Sequence, residues 1–160
     1  MPIDTAKVQG RRTLKFATLD DILADLDKLN QGKCRSLGNW TPGQVLKHLT
    51  VPMLWCLDGA PLRAPWYVRV MSWFIKGWFL RNPMPAGFKL SDDFAKHLLP
   101  PETSWEDGLA QLRAVIQRMR TEPQRHPSPF MGHLTPEQWI QLQCRHAELH
   151  LSFLVPDETP

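Results

Sequence analysis

The sequence predicts an all-α protein: a four-helix bundle with an additional aromatic helical segment and Pro-rich connections. Three observations predict it. The pattern Ser/Thr-x-x-(acid or Gln) occurs at Thr18–Asp21, Thr41–Gln44, Ser104–Asp107 and Thr135–Gln138. It lets a cap side chain and the third helical residue satisfy free N–H groups reciprocally. Apolar residues follow each cap at helical period. The 15 prolines among 160 residues stand between these stretches rather than inside strands.

Residues 1–15 read as an arm outside the helices, flexible or strand-like. The first helix follows Thr18 and carries Leu19, Ile22, Leu23, Leu26 and Leu29 on one face. The second follows Thr41, with Pro42 at the favoured first helical position, and carries Val45, Leu46, Leu49, Met53 and Leu54. Pro52 removes the ladder partner of the His48 carbonyl, so this helix is expected to bend or end there. Trp66–Leu80 is apolar except for Arg69, Ser72, Lys76 and Gly77. Positions 69, 72 and 76 share one helical stripe, which marks an amphipathic helix. Pro83, Pro85, Pro100 and Pro101 bracket an irregular connection. The helix after Ser104 carries Leu109, Leu112, Val115, Ile116 and Met119. Pro123, Pro127 and Pro129 fill the loop before the last helix, which carries Trp139, Leu142, Leu149 and Phe153. No segment alternates convincingly enough for a strand, and no internal boundary appears, so residues 1–160 read as a single domain.

Composition narrows the classes. Apolar residues are 42% and charged residues 22%, which excludes wholesale disorder. A net charge of +3 without a basic run gives no reason to expect nucleic acid. Three cysteines without a C-x-x-C pair argue against a disulfide framework and for a reducing, cytoplasmic setting. Arg11-Arg12 is not followed by an apolar stretch, so it does not read as an export signal. No stretch reaches the roughly 18 apolar residues needed to span a membrane.

The last helix carries the chemistry. His146 and His150 are four apart, about 40° around the axis, on the apolar face. Two imidazoles in a core need partners, and a divalent metal satisfies both. The spacing is H-x-E-x-H, which turns Glu148 away and removes the zincin protease reading. His48 lies on the core stripe of the second helix, where a bundle can bring it opposite the pair. Three His ligands make a catalytic-type site rather than a closed structural one. His126 and His133 each read first as exposed loop histidines and second as the candidate general base or outer partner. His97 reads as surface, and Cys34, Cys56 and Cys144 as small buried hydrophobes.

The stretch Asn39–Leu49, an aromatic, a helix cap and then His48, resembles the second-helix motif of the DinB/YfiT-like superfamily of metal-binding four-helix proteins. His146-x-x-x-His150 resembles its paired ligands. The segment His126–Trp139, running into Arg145–Leu151, is similar to a branch of that superfamily classed as a domain of unknown function. Arg12–Phe16 and the helix after Thr18 fit the same branch. Leu149 stands where that branch often has His. The loop departs from the branch's His-Pro-Phe-Phe-Gly pattern, reading His126-Pro127-Ser128-Pro129-Phe130-Met131-Gly132.

The resemblance implies four main helices, often dimeric, holding a zinc or nickel ion on His48, His146 and His150. Characterised relatives include thiol-dependent S-transferases and a maleylpyruvate isomerase that uses a low-molecular-weight thiol. The expectation is therefore a metal-dependent transferase or hydrolase acting on a small molecule, with a thiol cosubstrate. The alternative is a non-catalytic binding or oligomerisation protein with a structural or vestigial His cluster. The aromatic helix suits either a bundle or dimer contact, with Arg and Lys stems covering apolar surface, or a membrane interface. The first is the expectation, with a homodimer and no membrane partner.

Overall fold

Each of the four caps starts a helix in the computed structural model, which describes residues 2–30, 33–89 and 91–157. Met1 of the expected arm, Leu90 of the expected irregular connection and residues 158–160 of the expected domain lie outside the described residues. The Thr18 hydroxyl accepts from the Asp21 N–H, and the Asp21 carboxylate accepts from the Thr18 N–H, at the head of α1 (Leu19–Asn30). Full capping boxes with Pro at the first turn begin α2 (Pro42–Asp58) and α6 (Pro136–Leu151). Ser104 caps α5 (Trp105–Thr121). The aromatic segment forms α3 (Trp66–Arg81). The chain is mostly helical, as expected.

One apolar core draws Ile22 and Leu26 from α1, Leu46, Leu49 and Met53 from α2, Leu112 and Ile116 from α5, and Trp139 and Leu151 from α6. Helices α2 and α5 come into close contact at Gly43 and Gly108. A Cβ on Gly108 would stand 2.8 Å from the Gly43 carbonyl oxygen, so only glycine lets the two backbones touch.

The arm is tied to the end of α6. Arg12 forms a two-pronged ion pair with Asp25 and donates to the Leu151 and Leu154 carbonyls. Arg11 donates to the Ser152 hydroxyl and lies over the Phe153 ring. Phe153 sits beyond the end of α6 rather than on it.

Of the two outcomes expected at Pro52, an end is excluded: helix α2 continues to Asp58, because Pro52 removes one ladder bond while both flanking turns stay packed in the core. Three features depart from the expectations. A short helix α4 (Asp92–Leu98) interrupts the expected irregular connection, held by Phe94 and Leu98 against Trp55 and Ala64. Strands β1 (Cys34–Ser36) and β2 (Leu154–Pro156) pair antiparallel, with Arg35 opposite Val155. Helix α3 does not bury its apolar face. Its polar stripe of Arg69, Ser72 and Lys76 is half-buried, while Trp66, Tyr67, Val70, Met71, Trp73, Phe74, Ile75 and Trp78 are 45–75% exposed. Helix α3 touches α6 and is anchored by the buried Leu80 and by Val68.

Candidate metal centre

The start of α2 lies beside the end of α6, and this brings three histidines together. The imidazole nitrogens of His48, His146 and His150 lie within 4.8 Å of one another. His48 Nε2 is 3.1 Å from His146 Nε2. The His48 and His150 rings are 4.4 Å apart between centroids. Trp40 walls the cluster: its ring is 4.6 Å from that of His48 and stacks on His150 at 5.6 Å. The strand pair explains how Trp40 gets there. Pairing of β1 with β2, extended by the Leu37 N–H to the Phe153 carbonyl, pins residues 34–37 to the end of α6.

Helix α4 sets the His48 tautomer. His48 Nδ1 lies 2.8 Å from the Leu98 carbonyl, which only accepts. The ring proton therefore sits on Nδ1, and the Nε2 lone pair faces the cluster. Leu98 ends α4, so its carbonyl has no helical partner and is free for this bond.

Burial keeps the cluster neutral. Desolvation lowers the pKa of His48 and pushes those of His146 and His150 well below the ordinary imidazole range. Neighbouring imidazoles add repulsion, and the Arg11 guanidinium adds to it at His150. His48 is buried, whereas His146 and His150 keep partial access to solvent. His146 Nδ1 is buried with no hydrogen-bond partner. So are both amide atoms of Gln143, which precedes His146 by one turn on the same stripe and is 1% exposed.

The other candidates go elsewhere. His126 packs against Gly59 beyond the far end of α2, its N–H donating to the Cys56 carbonyl and its carbonyl accepting from the Trp139 indole. Eleven positions of helix rise separate Gly59 from His48, roughly 16 Å. His133 is exposed and outside the cluster, and exposed His97 bonds back to the Asp93 carbonyl. Neither His126 nor His133 is brought to the three histidines. Glu148 is buried on another face, accepting from Arg145 and from the Phe16 N–H, each at 2.5 Å. Burial pushes the Cys56 thiol up to about 12 and the Cys144 thiol up to about 11, and raises that of Cys34. None of the three is a ready nucleophile.

Sequence reasoning did not assign Trp40, Leu98, Gln143 or Arg11 to the site. The aromatic that opens the Asn39–Leu49 motif and a Gln inside the stripe from Trp139 to His150 are the visible signals. The Leu98 contribution is a backbone carbonyl, which no side-chain pattern announces.

No curated protein and no solved structure matches the chain. A family profile does, over residues 8–157, and the chain belongs to that family, described as Protein of unknown function (DUF1569).

Proposed function

We propose that His48, His146 and His150 hold a divalent zinc or nickel ion in a single-domain, DinB/YfiT-like four-helix bundle. The protein is then a transferase or hydrolase acting on a small molecule, with a low-molecular-weight thiol as cosubstrate. The observation that supports this reading is three neutral imidazoles converging on one point, two of them, His146 and His150, only partly buried. The donor set fits such an ion. Metal–nitrogen bonds of about 2.0–2.1 Å place adjacent ligand nitrogens about 3.0–3.4 Å apart, and His48 and His146 already meet that spacing. Imidazole is a common ligand for both metals. An ion held there lowers the pKa of a bound water or thiol and so supplies a nucleophile at neutral pH.

The chain's own residues do the remainder. Leu98 holds the His48 lone pair toward the centre. Trp40 offers an apolar wall to a ligand and excludes water from that side of His150. Arg11, held by Ser152 and Phe153, adds positive charge beside His150 and favours an anionic ligand such as a thiolate or carboxylate. The protein's cysteines are masked, so a thiol taking part in the reaction comes from outside the chain.

Metal analysis of tag-free protein tests the reading. About one equivalent per chain is expected after exposure to zinc or nickel, falling below about a tenth in His48→Ala and His146→Ala. No uptake by the wild type, or uptake unchanged in both variants, overturns it. The direct bond of 3.1 Å between His48 and His146 favours a second reading, in which the cluster is structural. Metal uptake without turnover in a screen of thiols against electrophilic acceptors would select that reading.

A further inference from the structure

Helix α3 is inside out. At 100° per residue, its eight exposed apolar side chains cover about 200° of the circumference. The polar positions 69, 72 and 76 point back toward the protein. A soluble surface helix places these faces the other way. Three of the chain's seven Trp residues, Trp66, Trp73 and Trp78, stand in this exposed sector.

The charge around the helix says what covers it. Residues 59–91 contain Arg63, Arg69, Lys76, Arg81 and Lys89 and not one Asp or Glu. Among the described residues none of these five cations forms an ion pair. The chain as a whole carries +3, so the rest is net −2 (3 minus 5) and the positive charge is concentrated here. Arg63 precedes the helix and Arg81 closes it on the exposed sector, so cations bound the aromatic surface at both ends. Arg69 and Lys76 lie behind it, within about a helix diameter of 10–12 Å, close to the screening length at physiological salt.

We propose that α3 lies in the surface of an anionic lipid bilayer. Its 16 residues span about 24 Å, too short to cross a bilayer and suited to lying along one. No helix among the described residues is long and apolar enough to cross a membrane. Trp and Tyr side chains favour the interfacial region, where ring and polar edge are both accommodated. Arg63 and Arg81 meet lipid phosphates through flexible stems while the apolar sector enters the acyl boundary. A second copy of the chain fits less well. A two-fold contact sets the same patch against itself, bringing the exposed Arg63 and Arg81 of one copy toward the same cations of the other. The proposal does not depend on the metal site.

Vesicle sedimentation with the full chain tests it. The protein should pellet with phosphatidylcholine vesicles containing about 30% phosphatidylserine and stay largely soluble with phosphatidylcholine alone. The exposed pair W73E/F74E should abolish pelleting with an unchanged circular dichroism spectrum. R63Q/R81Q, which leaves the aromatic surface intact, should weaken binding about 25-fold, or about fivefold per cation. Salt at 0.5 M should release the wild type. Failure to pellet with anionic vesicles overturns the proposal, as does equal pelleting with both lipids. A dimer in sedimentation velocity that W73E/F74E dissociates, with no pelleting, assigns the face to a second copy instead.

Discussion

Helices α6 and α3 touch each other and break opposite rules. Helix α6 turns His146, His150 and Gln143 toward the interior. Helix α3 turns Trp66, Trp73, Phe74 and Trp78 away from it. On α6, desolvation is the force to be offset, and the contact of His146 with His48 Nε2 offsets only part of it. On α3, apolar area stays in water and contributes nothing to the folded state. Each helix is therefore incomplete in this chain by itself, one lacking a partner for buried polar groups and the other a cover for apolar ones. Paired irregularities of this kind point to function more strongly than either residue count does, since a fold selected for stability alone would exchange the two faces.

Three measurements press on this contrast. The largest expected effect is at Trp139, 1% exposed at the head of the α6 stripe and bonded to the His126 carbonyl. Trp139→Ala should destabilise the protein by about 3–5 kcal/mol in denaturant unfolding. A loss below about 1 kcal/mol would mean that this face is not core.

Next is acidification of the metal-free protein. The three imidazoles titrate near 6.5 when unfolded and well below it, for His146 and His150, when folded. Below pH 6.5 the unfolded chain binds protons that the folded chain refuses. Stability should therefore be full above about pH 7 and fall as pH drops, by about 1.4 kcal/mol per pH unit for each imidazole held neutral. A melting temperature that stays flat between pH 7.5 and 5.5 would break the account of α6.

The smallest effect is expected from Trp73→Ala on α3. At 65% exposure it should change stability by no more than about 0.5 kcal/mol. A loss comparable to that at Trp139 would show that α3 is already covered in solution.

The sequence announced what depends on near neighbours. Thr18, Thr41, Ser104 and Thr135 act within three residues, so every cap was legible, with the helix behind it. The three histidines were legible because helical period placed each on a buried stripe. What escaped depends on distant or weak signals. Helix α4 offers one apolar pair, Phe94 and Leu98, and Ser91 makes no side-chain cap bond. Strands of three residues are too short to show alternation. The stripe of Arg69, Ser72 and Lys76 marked a helix correctly but said nothing of which way it faces, because periodicity fixes relative positions and not the neighbour. Trp40 reaches His150 across more than 100 residues of chain, through strand pairing that neither segment advertises.

Helix α4 has a consequence for how the centre would respond to what it holds. A helix of seven residues does not persist alone, and this one is held mainly by Phe94 and Leu98. Yet its last carbonyl fixes the proton on His48. The shortest α-helix thus acts as a latch on the most deeply buried of the three histidines. Opening it frees the ring to turn, and any occupant that needs His48 in place must close it again. By linkage, occupancy and the folding of α4 share one free energy. The amide of Leu99, bonded to the Ala95 carbonyl at 2.8 Å, should exchange more slowly with solvent when the centre is filled. That exchange rate would report occupancy from outside the site, without any knowledge of the substrate.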